Sequence, residues 1–207
     1  MQAQTNLNLA STIPHENILV IPRAQLFSQE AWQGLRGADQ INLEQYLEII
    51  KSKCQFLPRP AMEQDPRYKQ VIPYLIFRYQ GKLFLMQRSA QASEVRLRDQ
   101  YSLGIGGHIR QEDLVGQSIF DWARREFAEE VIYDGKLDVQ VLGILNDDSN
   151  EVGRVHLGLV LLLTGDSDQI EVSSELKSGK LMSMAECAAF EDRMENWSKL
   201  VFDFLQK

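Results

Sequence analysis

One stretch, residues 117–132, narrows the possibilities for this chain more than any other, because it reads as a single helix with two conflicting demands along one edge. At about 100° per residue, Ile119, Phe120, Ala123, Phe127 and Val131 fall on one arc and are expected to face a core. Glu126, Glu129 and Glu130 fall on an arc overlapping the edge of the first, with Glu126 at i,i+3 and i,i+4 spacing from the other two. Each close like-charge pair costs about 0.2–0.5 kcal/mol on an exposed helix. The cost grows where water is excluded. A hard divalent cation removes the repulsion, and oxygen ligands are what Mg²⁺ or Mn²⁺ prefer. Mg²⁺ usually takes one or two carboxylates, substrate phosphates and water, so the cluster suits a phosphate substrate arriving with its metal.

An acidic stripe on a helix is ordinarily a solvated face, and the flanking residues set this one apart. Gly106-Gly107 ends a short strand, 101–107; the acidic pair Glu112-Asp113 follows, and then Arg125-Glu126-Phe127-Ala128-Glu129-Glu130. This run resembles the Nudix box of the Nudix hydrolase superfamily, written G, five residues, E, seven residues, R-E-U-x-E-E-x-G-U, with U apolar. Gly107 stands at the first glycine and Asp113, a conservative change, at the first acidic position. Arg125, Glu126, Phe127, Glu129 and Glu130 match the REUxEE core, and Tyr133 the last apolar position. Two departures are visible. Eleven residues separate Asp113 from Arg125 instead of seven, an addition close to one helical turn. Ile132 replaces the glycine of the pattern, so a left-handed helix end is expected from Asp134-Gly135 instead. The segments RLRDQYSLGIGGHI and GILNDDSNEVGRVHLGLVLLL extend the likeness, to a branch described as predicted phosphoesterases, over residues 57–207.

The resemblance implies an α/β fold, a Nudix-type α/β/α sandwich with a mixed β-sheet, and hydrolysis of a diphosphate linkage in a nucleoside diphosphate joined to a second group. It implies Mg²⁺ or Mn²⁺ held by Glu126, Glu129 and Glu130, with Gly107 letting the backbone approach metal or phosphate. Either Glu129 or a glutamate outside the box serves as base. Arg125 is expected to orient a box carboxylate through a bidentate pair. Outside the box, Arg96 and Arg98 in a basic loop, and His156 beside Arg154, are candidates to hold substrate. His108 and His156 read as hydrogen-bonded structural histidines ahead of bases, and Tyr74 and Phe84, at strand spacing, as core. Two other functions belong to the same fold. One is a nucleotide-binding sensor without turnover, which has no need of the complete Glu129-Glu130 pair. The other is an isoprenoid diphosphate isomerase, which draws on a cysteine in the cleft; neither Cys54 nor Cys187 lies near the box in sequence.

The remainder of the chain is consistent with this. Its 207 residues carry 22 Lys and Arg against 29 Asp and Glu, a net charge of −7. That balance argues against nucleic acid, whose binding needs clustered cations, and against a polybasic membrane surface. No run approaches the roughly 20 apolar residues of a membrane span. The two distant cysteines form no metal-ligand motif, and a cytoplasmic protein with reduced thiols is expected. Asn17-Ile18-Leu19-Val20-Ile21-Pro22 reads as a strand, and Asn42 with Gln45 as a helix start. Pro58-Arg59-Pro60 and Pro66 mark a connector, dividing an N-terminal extension, 1–56, from a main domain, 57–207. The extension is expected to serve as a lid or as the contact of a homodimer. Residues 71–79 and 83–87 read as a hairpin about Gln80-Gly81-Lys82, with Pro73 at a strand start or a sheet edge. Strands 137–145 and 155–163 flank the acidic turn Asn146-Asp147-Asp148-Ser149-Asn150. Ser183 and Glu186 form a capping box, and a helix over 193–206 presents Trp197, Leu200, Val201 and Phe204.

Overall fold

The structure is a computed structural model and describes residues 16–27, 31–88, 100–114, 118–173 and 176–207. The chain enters its sheet with β1 (Asn17–Pro22), which continues into α1 (Arg23–Leu26). Then follow β2 (Gly34–Arg36), α2 (Leu43–Lys53), β3 (Gln55–Pro58) and a single helical turn, α3 (Arg59–Met62). The Asn42 side chain accepts from Gln45 N and caps α2 as the sequence predicts. β4 (Tyr68–Tyr79) and β5 (Lys82–Arg88) form the expected hairpin. Gln80 and Gly81 both take positive φ, 45° and 76°, the conformation that matches a two-residue turn to the right-handed twist of its strands.

Beyond the hairpin lie β6 (Tyr101–Ser102), β7 (Gly104–Gly106), α4 (Ile119–Glu130), β8 (Val131–Ile132) and β9 (Leu137–Asn146). The acidic turn leads into a short helix, α5 (Glu151–Val155), before β10 (His156–Gly165). β11 (Glu171–Val172), β12 (Leu176–Met182), α6 (Met184–Ala188) and α7 (Asn196–Leu205) complete the fold. The main sheet runs β12-β5-β4-β10-β9-β2. β4 and β10 are parallel and the other neighbours antiparallel, so the sheet is mixed.

Pro73 lies in the middle of β4 instead of at its start. β1 pairs with β4 over 68–70 and β7 pairs with it over 74–76, and Pro73 falls between the two partners, where its missing N–H costs no bond on that side. Residues 17–58 join the sheet directly, through β1 beside β4 and β2 beside β9. Their polar ties converge on the acidic turn: Arg23 grips Asp148, Gln33 donates to Asp147 at 2.6 Å, and Asn146 donates to the Trp32 carbonyl at 2.6 Å.

Strand alternation separates two cores. On β4, Val71, Leu75 and Phe77 face one side and Tyr74 and Ile76 the other; on β10, Leu157, Leu159, Leu161 and Leu163 oppose Val160 and Leu162. The first face packs against Ile50 of α2 and Trp122, Ala123 and Phe127 of α4. The second packs against Cys187 of α6 and Val201 and Phe202 of α7. The result is the expected α/β/α sandwich. Phe77 sits at its centre, stacked on Phe127 at 5.8 Å and edge-on to Phe84 at 6.4 Å. Phe84 is therefore core.

Candidate active site

The chemistry-bearing residues gather at one end of the β4–β10 pair. α4 is started by Ser118, whose hydroxyl accepts from Asp121 N while Asp121 reaches back to Ser118 N, a capping box that leaves the helix axis well fixed. The helix stops at Glu130, two residues before the predicted end. Val131 is extended and pairs with β11, so pairing straightens the chain and no left-handed residue is used there. Asp134-Gly135 does not terminate the helix. Burying Trp122, Ala123 and Phe127 turns Glu126 partly inward and leaves Glu129 on the rim.

β7 ends in Gly106, and Gly107 just after it lies directly beneath Glu126. A Cβ built on Gly107 would overlap the Glu126 Oε1 oxygen and lie 3.7 Å from the Trp122 ring. Glycine leaves the Glu126 carboxylate the space it occupies, and a side chain there would displace it. Burial, followed by the charges of Glu130, Glu129 and Asp113, pushes the Glu126 carboxyl up to about 7, with Arg125 opposing. The repulsion anticipated from the helical wheel is thus present in the fold.

Arg125 and Asp113 form the second layer of the site. Asp113 is 5% exposed and accepts from Arg110 N at 2.9 Å, Arg110 Nε at 3.1 Å, Arg110 Nη2 at 3.0 Å and Arg125 Nη2 at 2.9 Å. Burial alone would raise its pKa, but the bonds from Arg110 outweigh it and hold the carboxyl below its ordinary value. Arg125 also approaches Glu129 at 3.7 Å. It bridges two acids, where the sequence suggested a bidentate grip on one.

The cleft above these groups encloses about 740 Å³, within the usual size of a small-ligand site. Gly106, Gly107, Glu126, Glu129 and Glu130 line it, and so does His156, as the sequence suggested. Arg96 and Arg98 lie outside the described residues. The structure adds residues that carried no signal in the sequence: Arg59 from α3, Asn150 from the acidic turn, and Trp197 from α7. Tyr74 reaches the floor from the sheet. Its hydroxyl donates to Glu195 Oε1 at 2.5 Å and lies 2.7 Å from Ser198 Oγ, while the Glu195 carboxylate caps α7 through Trp197 N and Ser198 N. Glu195 therefore acts as a structural cap. His108 Nε2 lies 2.8 Å from Gln70 Oε1 and 3.3 Å from His156 Nε2. Burial, with smaller contributions from Arg59 and His156, lowers the His108 pKa to about 3, so the ring is neutral.

No protein-family model matches the sequence. The chain is 34% identical over 204 residues to Protein YmaB of Bacillus subtilis, spanning 92% of this chain and 98% of that protein. Among solved structures, Tm1382, assigned as a Nudix hydrolase, superposes with a TM-score of 0.76 at 28% identity, covering 92% of this chain and 98% of its own. The chain belongs to the Nudix hydrolases. The Nudix domain of Shewanella oneidensis NrtR, solved with ADP-ribose, shares the fold alone, with a TM-score of 0.53 at 11% identity over 67% of this chain and 86% of that one. As a Nudix protein, the chain keeps the glycine and glutamates of the box at one cleft in spite of four extra residues between Asp113 and Arg125. Among the described residues, no helix is long and apolar enough to cross a membrane.

Proposed function

We propose that this Nudix hydrolase cleaves the diphosphate linkage of a nucleoside diphosphate joined to a second group, with Mg²⁺ or Mn²⁺ held by Glu126, Glu129 and Glu130. The observation that carries the reading is Glu126 lying over Gly107, its carboxyl pushed up to about 7 by burial and by two neighbouring glutamates. The donor set fits a hard cation, since it consists of oxygens and its mutual repulsion is relieved by positive charge. When bound, such an ion neutralises charge on phosphoryl oxygens and activates water. Gly106 and Gly107 leave room for a phosphate oxygen beside the backbone. Arg125, fixed by Asp113, holds Glu129 in place, and Glu129 is the residue we assign as base. The aromatic ring of Trp197, on the cleft wall, offers a surface for a nucleoside base or sugar. Arg96 and Arg98, outside the described residues, remain candidates for phosphate contact.

The single test is a panel of nucleoside diphosphate compounds, beginning with ADP-ribose, incubated with Mg²⁺ or Mn²⁺ and followed by product identification. Glu129→Gln and Glu130→Gln proteins that hydrolysed an accepted compound at the parental rate would overturn the assignment. Binding without turnover across all metals would make the protein a sensor. Neither Cys54 nor Cys187 lines the cleft, so the isomerase reading lacks its thiol.

A further inference from the structure

Apart from the box glutamates, a second set of ligand-type side chains meets beside the same cleft, which two of its members, His108 and His156, line. His108, just after the glycine pair, and His156, at the start of β10, are brought together across β4 with Glu63, which follows α3. One donor atom from each of the three lies within 4.8 Å of the others.

We propose that Glu63, His108 and His156 form a binding site for one borderline divalent cation of the Zn²⁺ type, separate from the hard-cation site on α4. Three geometric features carry this. The two Nε2 atoms are 3.3 Å apart. With metal–nitrogen bonds of about 2.0–2.1 Å, that edge subtends about 104–111° at the ion, the tetrahedral range. His156 Nδ1 lies 2.7 Å from the Val152 carbonyl, which places the ring proton on Nδ1 and turns the Nε2 lone pair toward His108. Such an outer hydrogen bond fixes tautomer and orientation together. Glu63 Oε1 is 3.9 Å from His108 Nε2, short of contact, on a side chain 37% exposed that can cover the remaining distance once it leaves Arg59.

The bookkeeping of protons is consistent. Without an ion, His108 Nε2–H donates to Gln70 Oε1, and Gln70 Nε2 donates to the Met62 carbonyl at 3.3 Å. With an ion, the His108 proton resides on Nδ1 and the Nε2 lone pair joins that of His156. Glu63 must exchange its contact with Arg59 Nε, 3.2 Å, for the cation. Two histidines and one carboxylate leave the fourth tetrahedral position to another ligand. Both histidines line the cleft, so that position faces whatever anionic oxygen, phosphate or carboxylate, the bound molecule presents.

The test reads metal content, so it stands or falls independently of the hydrolase reading. The full chain, made without a histidine tag and stripped with chelator, is titrated with Zn²⁺ in excess Mg²⁺. One tightly held Zn²⁺ per chain is expected, retained when Glu126, Glu129 and Glu130 are all changed to Gln. Affinity is expected to fall about tenfold or more in His108→Ala, His156→Ala and Glu63→Ala. Co²⁺ in place of Zn²⁺ is expected to give the intense visible bands of a tetrahedral ion, lost in His108→Ala. Zinc held at parental affinity by both histidine variants, zinc lost from the triple Gln protein, or no tight zinc in the parent would each overturn the site. His156 is buried; if its Ala variant does not fold, His108→Gln and Glu63→Ala, with circular dichroism as control, decide the matter.

Discussion

Arg125 Nη2 donates to Asp113 Oδ1 at 2.9 Å, so the two ends of the eleven-residue gap in the box are closed upon each other. The extra residues do not pull the first acidic position away from the helix. Asp113 serves as a hub for two arginines and holds the strand end carrying Gly107 against α4.

Asp113→Ala is expected to remove an acceptor of four hydrogen bonds and leave two guanidinium groups without it. Lost charge-assisted bonds put the cost at about 1–3 kcal/mol. Arg125→Ala is expected to cost less, because Asp113 retains Arg110. Urea unfolding of both variants checks the order.

Gly107→Ala places a methyl group where the Glu126 carboxylate lies, with the Trp122 ring 3.7 Å away. The carboxylate has to swing out of the cleft. Divalent-dependent hydrolysis is expected to fall at least about tenfold, a displacement effect of the kind that misplaced catalytic groups show. The far-UV circular dichroism is expected to match the parent.

The Glu126 carboxyl is raised from its ordinary 4.5 to about 7 by burial and by Glu130 and Glu129. Between those values the folded protein binds more protons than the unfolded chain, so metal-free stability falls as pH rises through the window. Screening over a partly exposed side chain limits the effect to about 1–2 kcal/mol. Thermal melts of metal-free protein from pH 4.5 to 8 are expected to show this decline, flattened in Glu126→Gln. Adding Mg²⁺ is expected to restore stability at the alkaline end.

Asp148 behaves in the opposite sense. Burial opposes its ionisation, but hydrogen bonds from Arg23 and Lys69 prevail and hold it well below the ordinary carboxylate range. Its contribution is present above the unfolded value near 3.8 and is lost as pH falls through the lower folded value. Lys69 is fully buried, with its Nζ bonded to Asp148 Oδ1 at 2.9 Å and to the carbonyls of Gly153 and His156 at 2.7 and 3.1 Å. Asp148→Asn leaves that ammonium its two carbonyl acceptors but removes its counter-charge, at a cost of about 3 kcal/mol at neutral pH. The variant is expected to unfold more easily at pH 7 and to show a flatter acid branch.

Much of the fold is legible in the residues. Asn42, Ser183 and the Gln80-Gly81 turn announce their elements through local bonds, and the short, near-continuous apolar run along 155–163 announces a strand buried on both faces. Elements whose ends are set by pairing are less legible. The end of α4 is decided by β8 meeting β11, a partner some forty residues onward, so the substitution of glycine by Ile132 is resolved by a strand instead of a left-handed cap. Pro73 is tolerated mid-strand because β1 and β7 leave a gap on one side of β4, which the composition of β4 does not reveal.

By itself the sequence determined a helix with three glutamates beside an apolar arc, preceded by a glycine pair, because helical periodicity and turn chemistry act over a few residues. Tertiary structure decided which distant groups share the cleft. Arg59, His108, His156 and Trp197 come from four separate parts of the chain, and only the register of β4 against β10 and the seating of α7 bring them to one wall. It also decided that Glu126 is half-buried over Gly107, since the electrostatic cost of a carboxylate depends on how much water the surrounding fold excludes, a quantity no local pattern of residues contains.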